Sequence, residues 1–152
     1  MAHYQSFLRP GDVGDLAEDV RRLFAELDAD RTGGPVSGEC APAIDVVETD
    51  ERIEITMDLP GVAASALRVL IKAGVVVVAG EKTRPAADLR GITGFHLVER
   101  DFGRFARAVR LEGACDASCA VATLRHGELR IVVPKIAERR GAAIVVPVQA
   151  QA

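Results

Sequence analysis

The sequence predicts an all-β fold, an antiparallel β-sandwich, over residues 43–135. Short runs in this region alternate apolar and polar residues, which is the pattern of a strand with one face in the core and one in water. Glycine and proline turn signals separate the runs at close spacing. No helical apolar pattern lies between them. Seven or eight short strands connected in this way are typical of two sheets packed face to face.

The predicted strands begin with the clearest alternation in the chain. Residues 53–59 alternate without a break, and Pro60-Gly61 then turns the chain. Residues 67–72 alternate up to a second turn at Ala73-Gly74. The run Val75–Val78 has no polar face, so it is expected to be buried on both sides. Further strands are predicted at Ile44 and Val46, at His96–Phe102, at Phe105–Leu111 and in a closing pair from residue 119 onward.

The closing pair of strands contains a predicted tight turn at His126-Gly127. After the turn, apolar residues alternate with polar neighbours until Pro134, which lacks the N–H that a continuing strand needs. A histidine in such a turn tolerates a left-handed backbone, and this is the expected role of His126 rather than proton transfer.

An amphipathic helix is predicted ahead of the sandwich. Its apolar residues recur at helical spacing and form one stripe, namely Leu16, Val20, Leu23, Phe24 and Leu27. Asp19, Arg22 and Glu26 are expected on the opposite face. Two interpretations stay open: the stripe packs on the chain's own core, or it contacts partners or unfolded chains. The glycine- and proline-rich linker that follows, Thr32–Gly38, argues against a position in the core.

Two segments are longer or more apolar than a plain sandwich requires. The connection at residues 83–94 exceeds a hairpin loop, and long loops in compact domains are usually functional or disordered. The run Ala142–Val148 follows a charged spacer and has no core of its own. We therefore divide the chain into an N-terminal arm at residues 1–42, the sandwich at 43–135 and a C-terminal tail at 136–152.

Composition and motifs favour a protein without catalytic or cofactor chemistry. The net charge is −3 and the basic residues are dispersed, so nucleic acid is not an expected partner. Phosphate-loop, dinucleotide and nucleophile-elbow patterns are absent. Cys115, Cys119 and His126 lack a fourth ligand for a structural zinc site, so no metal is expected. Cys40 brings the cysteines to an odd number, which fits no disulfide framework. No secretory signal or bilayer-length apolar run occurs, so a soluble cytoplasmic protein without membrane contact is expected.

Four segments resemble a known family in the same order along the chain. They are Asp58–Val62 (DLPGV), Gly80–Lys82 (GEK), Glu99–Arg107 (ERDFGRFAR) and Ala122–Lys135 (ATLRHGELRIVVPK). Together they resemble the small heat-shock protein (α-crystallin) family, of bacterial type. The resemblance implies an immunoglobulin-like sandwich and an ATP-independent holdase chaperone, not an enzyme. Its expected partners are unfolded or partly folded client proteins and further copies of itself, in dimers and higher homo-oligomers.

The resemblance also implies roles for named residues. In related proteins the long loop carries a strand that adds to the partner's sheet, so Ile92 and Phe95 are expected anchors of the dimer. Arg100 and Arg107 become candidates for inter-subunit ion pairs. The tail resembles the family's I-x-I/V motif, which docks between edge strands of a neighbouring dimer. Two registers fit, Ile144-x-Val146 and Val146-Pro147-Val148.

The helix stripe is the expected client-binding surface, with the residues Leu16, Val20, Leu23, Phe24 and Leu27. The alternative function is a p23-like β-sandwich co-chaperone or scaffold module that binds one defined folded partner. The long loop and the apolar tail argue against this alternative, because that group lacks both.

Overall fold

A computed structural model describes residues 12–29, 40–84 and 91–136 of the chain. These residues form one helix, α1 (Asp12–Ala29), and seven strands: β1 (Ile44–Glu48), β2 (Arg52–Asp58), β3 (Leu67–Lys72), β4 (Val75–Lys82), β5 (Gly103–Arg110), β6 (Val121–Arg125) and β7 (Glu128–Pro134). The strands pair antiparallel in two sheets, in the orders β1-β2-β7-β6 and β3-β4-β5. The predicted all-β sandwich with an N-terminal helix is confirmed.

The core lies between the two sheets and follows the predicted alternation. On β2 and β7, every second side chain points inward and is buried, while its neighbours reach water. Burying apolar area in this way is the main favourable term in folding. The core side chains include Ile53, Ile55 and Met57 of β2, Val76 and Val78 of β4, Phe105 of β5, and Leu129, Ile131 and Val133 of β7.

The predicted turns at Ala73-Gly74 and His126-Gly127 have the left-handed backbone that a tight hairpin needs. Ala73 and Gly74, between β3 and β4, have φ angles of 50° and 75°. His126 and Gly127, between β6 and β7, have φ angles of 52° and 80°. Two consecutive residues with positive φ match the twist of the flanking strands. The expected backbone role of His126 is therefore confirmed.

Strand β4 is buried on both faces, as its run of valines predicts. Val76 and Val78 point into the sandwich core. Val75 and Val77 point outward and pack in a second cluster, which includes residues of helix α1. The helix thus covers the outer face of the β3-β4-β5 sheet. Of the two interpretations of its apolar stripe, the structure shows packing on the chain's own fold, and client contact by the same residues stays a prediction.

Two predicted strands differ from those observed. His96–Phe102 forms no strand, and β5 begins only at Gly103. No strand in the described part of the chain pairs with residues 96–102, so their backbone does not join a ladder. The closing pair begins at Val121 rather than at residue 119, because Ala117–Cys119 form a single 3₁₀ turn. The side chain of Asp116 caps that turn by accepting a hydrogen bond from the Ser118 backbone N–H at 3.0 Å.

The outer face of the β1-β2-β7-β6 sheet carries a bidentate ion pair. Arg130 of β7 donates through Nε and Nη2 to the two carboxylate oxygens of Glu54 on β2, at 2.5 and 2.6 Å. These hydrogen bonds from Arg130 lower the pKa of Glu54 below its ordinary value. The pair stabilises the charged carboxylate and bridges the two central strands.

Replacing Glu54 with Gln is expected to lower the midpoint of thermal unfolding at neutral pH but not in acid. The folded-state pKa of Glu54 lies below its unfolded value, so the stabilisation is complete above the unfolded pKa and is lost as pH falls through the folded one. Circular dichroism melts of both chains, from neutral pH down to about pH 3, measure this because glutamate titrates in that range. A difference that persists in acid contradicts a role for the carboxylate charge.

Candidate assembly and client-binding surfaces

Apolar side chains lie outside the sandwich core at several places, among them the edge strand β1 and three surfaces that we name. The first is the outer face of the β3-β4-β5 sheet beneath α1, which we call the helix-covered face. The second is the exposed segment 91–102, which we call the loop segment. The third is the side of the sandwich where β3 and β6 end their two sheets, which we call the open edge; it lies opposite the side where the chain ahead of β1 contacts β5.

The helix-covered face is an apolar platform framed by basic residues. Strand pairing sets Leu70, Val77 and Ala108 in one row across the three strands. The row on one side of it contains Lys72, Val75 and Arg110, and the row on the other side contains Arg68, Ala79 and Ala106. One row further along, Glu81 lies opposite Arg104. Four cationic side chains therefore surround a small apolar centre.

Helix α1 fills this platform with its apolar stripe. Leu16 and Leu23 are buried against Val75, Val77 and Ala79. Leu27 is also buried, while Val20 and Phe24 are half-buried at the same contact. Each fully buried side chain of this size is worth about 1.5–3 kcal/mol relative to exposure. Four of the five predicted client-binding residues thus pack in one cluster with the sheet, and the fifth, Leu27, is buried as well.

Ion pairs connect the helix to the basic frame. The Asp19 carboxylate accepts from Lys72 Nζ at 3.1 and 3.0 Å. The Glu26 carboxylate lies 4.0 Å from Arg68 Nε. Asp28 pairs with Arg104. Every one of these pairs places an acid on the helix and a base on the sheet.

Arg104 is the most connected of the basic residues. Its Nε donates to Glu81 Oε1 at 3.0 Å, and Glu81 is buried. Its guanidinium also lies 5.1 Å from the centroid of the Phe24 ring, within the range of a cation–π contact. One side chain therefore neutralises a buried acid on β4 and holds the C-terminal half of α1.

The expectation that Asp19 lies on the solvated face of the helix is wrong. Only 8% of Asp19 is exposed, because its side chain lies at the sheet beside Lys72. The spacing of residues in the sequence already indicates the buried position of Asp19. Asp19 follows Leu16 by three residues and precedes Leu23 by four, so helical periodicity places it within the apolar stripe.

The loop segment leaves large apolar side chains in water. Ile92 and Phe95, the predicted dimer anchors, are 45% and 66% exposed. Leu97 and Val98, which the prediction did not single out as anchors, are 75% and 53% exposed. Exposed apolar side chains this close together are typical of contact surfaces, so the dimer role of Ile92 and Phe95 stays a prediction.

Strand β1 is an edge strand that also exposes apolar side chains. It ends its sheet, with only β2 beside it among the described strands. Val46 and Val47 are about half exposed, at 47% and 59%. An unpaired strand edge is a template for pairing with another chain.

The two predicted interface arginines make contacts within their own chain. Arg100 stacks on Phe102 at 4.9 Å from the ring centroid, and Lys82 and Arg84 approach the same ring at 5.7 and 4.8 Å. Arg107 Nη1 donates to the Pro42 carbonyl at 2.8 Å and so holds the chain ahead of β1 against β5. Inter-subunit ion pairs of Arg100 and Arg107 stay predictions.

The open edge presents half-buried apolar side chains beside unpaired backbone. Val69 and Ile71 of β3 and Leu124 of β6 pack against the core but remain partly accessible. Each of the two strands has a neighbour on one side only among the described strands. An extended apolar segment fits such a site by adding to the sheet edge. The tail residues Ile144, Val146 and Val148 lie outside the described residues.

The cysteines are free thiols without a shared site. Burial raises the pKa of Cys40, whose Sγ donates to the Gly103 carbonyl at 3.5 Å, and burial also raises the pKa of Cys115. Cys119 is exposed. Over residues 12–29, 40–84 and 91–136, no three His, Cys, Asp or Glu side chains converge as metal ligands. The described helices include none with the length and apolarity to cross a membrane.

Comparison with known proteins finds relatives over most of the chain. The model of the Hsp20/alpha crystallin family matches residues 45–149. Heat shock protein 16 of Schizosaccharomyces pombe is 27% identical over 127 residues, covering 84% of this chain and 85% of that protein. The 21.9 kDa heat shock protein of Oryza sativa subsp. japonica is 31% identical over 156 residues, covering 93% of this chain and 76% of that protein.

Solved structures agree with these relatives. Heat shock protein 16.0 of S. pombe superposes with a TM-score of 0.61 at 25% identity, over 73% of this chain and all (100%) of that chain. The hspA protein of Xanthomonas axonopodis gives a TM-score of 0.55 at 30% identity, over 64% of this chain and 95% of that chain. The sandwich, the four ordered motifs and these matches lead to one conclusion: the chain belongs to the Hsp20/alpha crystallin family of small heat-shock proteins.

Proposed function

We propose that this small heat-shock protein is an ATP-independent holdase, which binds unfolding proteins and prevents their aggregation. The observation that carries the proposal is the apolar surface held outside the core, at the helix-covered face, the loop segment and the open edge. A holdase has to keep such surface in reserve and offer it to exposed apolar segments of clients. The stripe of α1, namely Leu16, Val20, Leu23, Phe24 and Leu27, is the proposed client contact once it leaves the sheet.

The proposed building block is a dimer formed by exchange of the loop segment. The exposed side chains of Ile92 and Phe95 need a cover, and the edge of β1 offers unpaired backbone with the exposed Val46 and Val47 beside it. Addition of the loop segment to β1 of a second copy would cover the exposed anchors and pair the free backbone of β1. Arg100 and Arg107 are the proposed sources of inter-subunit ion pairs, since charge pairs contribute orientation and specificity to such contacts.

Higher assembly is proposed to depend on the tail. Ile144, Val146 and Val148 form two overlapping motifs, and their alternation predicts that the β-branched side chains share one face when the segment docks as a strand. The open edge of a neighbouring dimer, with Val69 and Leu124, has matching apolar side chains beside unpaired strands. Docking there is the proposed link between dimers.

Replacing Ile144, Val146 and Val148 together with Ser is expected to reduce the protein to dimers. Burial of each side chain is worth about 1.5–3 kcal/mol, so even partial loss shifts an assembly equilibrium by one decade or more. Light scattering coupled to size exclusion measures the particle mass, and circular dichroism checks the sheet. Ala142→Ser with Ala143→Ser is the matched control and is expected to keep the full mass. Unchanged mass in the triple variant contradicts tail docking.

The proposed compartment is the cytoplasm. The three cysteines, Cys40, Cys115 and Cys119, are free thiols in the structure. Free thiols persist in reducing compartments, whereas secreted domains of this size commonly pair them.

Light scattering of a heat-unfolding client tests the holdase proposal. At a near-stoichiometric ratio to the client, the protein is expected to suppress the rise in scattering in nucleotide-free buffer. The same result is expected for several unrelated clients. Added ATP is expected to change nothing. A strict ATP requirement, or unsuppressed aggregation at several-fold excess across these clients, contradicts the proposal.

A further inference from the structure

We propose that the helix-covered face is itself a client site, selective for acidic amphipathic helices, which α1 occupies until it leaves. The proposal rests on the holdase function proposed above and names the surface and the class of client segment. In this account α1 acts as a built-in competitor, because it has the same chemistry as the segment that replaces it.

The face is shaped for one helix with an apolar stripe. Its centre is narrow and made of small or medium side chains, as in the row of Leu70, Val77 and Ala108. Val75 and Ala79 extend this centre along β4. A helix lying across three strands contacts such a platform with residues that recur every three or four positions. Leu16 and Leu23, which are seven residues apart, both pack on the platform, so the platform accepts apolar residues at helical spacing.

The frame of the face selects for negative charge. Arg68, Lys72 and Arg104 each pair with an acid of α1. The helix carries six acidic residues and two arginines, so its overall charge complements the frame. A basic helix in the same place would set like charges against one another, which destabilises a contact.

The spacing of the acids defines the preferred segment more closely. Asp19 and Glu26 are seven residues apart, and each directly precedes an apolar residue of the stripe, Val20 and Leu27. Seven residues are about two helical turns, so both acids project on the same side. The preferred client segment therefore has an acid beside its apolar stripe on every second turn.

The helix can leave without opening the sandwich. Its apolar contacts form a cluster separate from the core, and the two clusters share strand β4 but use opposite faces of it. Two of the three ion pairs are partly exposed, since the side chains of Glu26 and Asp28 are 50% and 52% accessible, and such pairs contribute little, about 0–1 kcal/mol each. The third pair joins the buried Asp19 to Lys72, whose side chain is 54% accessible. Elements held by a small satellite cluster belong to the low-stability end of a fold.

Peptide binding to the full-length chain tests the proposal. The protein carries Leu16→Ser and Leu23→Ser, which loosen α1 and leave the face intact. The probe is a fluorescent peptide of residues 12–29, and its matched control has Lys in place of Asp19, Glu26 and Asp28. Fluorescence anisotropy is expected to show the native peptide binding at least about tenfold more tightly than the control, since three attractions become repulsions.

Reversing the charges on the helix-covered face gives a second test of the same binding preference. Adding Arg68→Glu and Lys72→Glu to the loosened chain is expected to invert the preference, so that the control peptide binds more tightly than the native one. Circular dichroism checks that the sheets are intact in each variant. Equal affinity for the two peptides, or a preference that the reversed face does not change, overturns the proposal.

The wild-type chain gives a readout that does not depend on the loosened variant. A zero-length carbodiimide couples a carboxylate to an amine in contact, and the 3.0 Å pair of Asp19 with Lys72 meets that condition. With an isotope-labelled native peptide at the temperature where aggregation suppression begins, mass spectrometry is expected to find the peptide's Asp19 joined to Lys72 of the protein. Absence of this product at that temperature overturns the proposal.

Failure of this inference is distinguishable from failure of the holdase proposal. A chain that suppresses client aggregation but does not discriminate between the two peptides retains the holdase function and loses the selective site. A chain that discriminates between the peptides but suppresses no aggregation retains the selective site and loses the holdase function.

Discussion

Gly80→Ala is expected to lower the free energy of unfolding by about 3 kcal/mol, the upper end of the usual cost of overpacking a core. A Cβ on Gly80 would lie 2.5 Å from Cζ of Phe105, 2.7 Å from Cδ2 of Leu67 and 2.9 Å from the Ala66 carbonyl oxygen. The last of these is backbone, which cannot rotate away. Urea denaturation followed by circular dichroism measures the loss. The same geometry gives a physical reason for the glycine in the Gly80–Lys82 motif.

Gly94→Ala is the matched control. A Cβ on Gly94 meets nothing within 4 Å, so the change is expected to stay within about 0.5 kcal/mol of the parent chain. If the two glycine variants are equally stable, the close packing of β3, β4 and β5 at Gly80 is contradicted.

Shortening the loop between Lys82 and His96 to a tight turn is expected to give folded monomers that also lose higher assembly. The change removes Ile92 and Phe95, the exposed anchors, and the backbone that would add to β1 of a second copy. The sandwich core does not use this segment, so the fold is expected to survive. Sedimentation velocity at low micromolar concentration measures the change in mass.

Gly94→Ala also serves as the control for the loop, since it keeps the length and both anchors. It is expected to sediment as the parent does. A shortened chain that still sediments as a dimer refutes strand exchange and places the dimer contact elsewhere on the sandwich.

The sandwich could be predicted from the sequence because its signals are local. Strand β2 needs only the alternation of residues 52–58 to define its two faces, and β4 needs only a run of valines without a polar face. The turns at Ala73-Gly74 and His126-Gly127 depend on the conformational preference of single residues. Each of these features depends on only a few consecutive residues of the chain.

The remaining features depend on contacts between distant segments. His96–Phe102 has strand-forming residues, yet a strand exists only where a neighbour pairs with it, and no strand of the described chain does so. The docking of α1 depends on Lys72 and Arg104, which are 53 and 76 residues from their partners Asp19 and Asp28. Periodicity shows which side of a helix is apolar, but not which surface that side covers.

Isolation of a complex between the chain and an unfolded client is the direct test of the holdase function. A client is heated with the chain in nucleotide-free buffer, and the soluble fraction is separated by size exclusion. We expect client and chain to elute together as a particle larger than either alone, with the client protease-sensitive within it. A client found in the pellet while the chain elutes alone contradicts the holdase function.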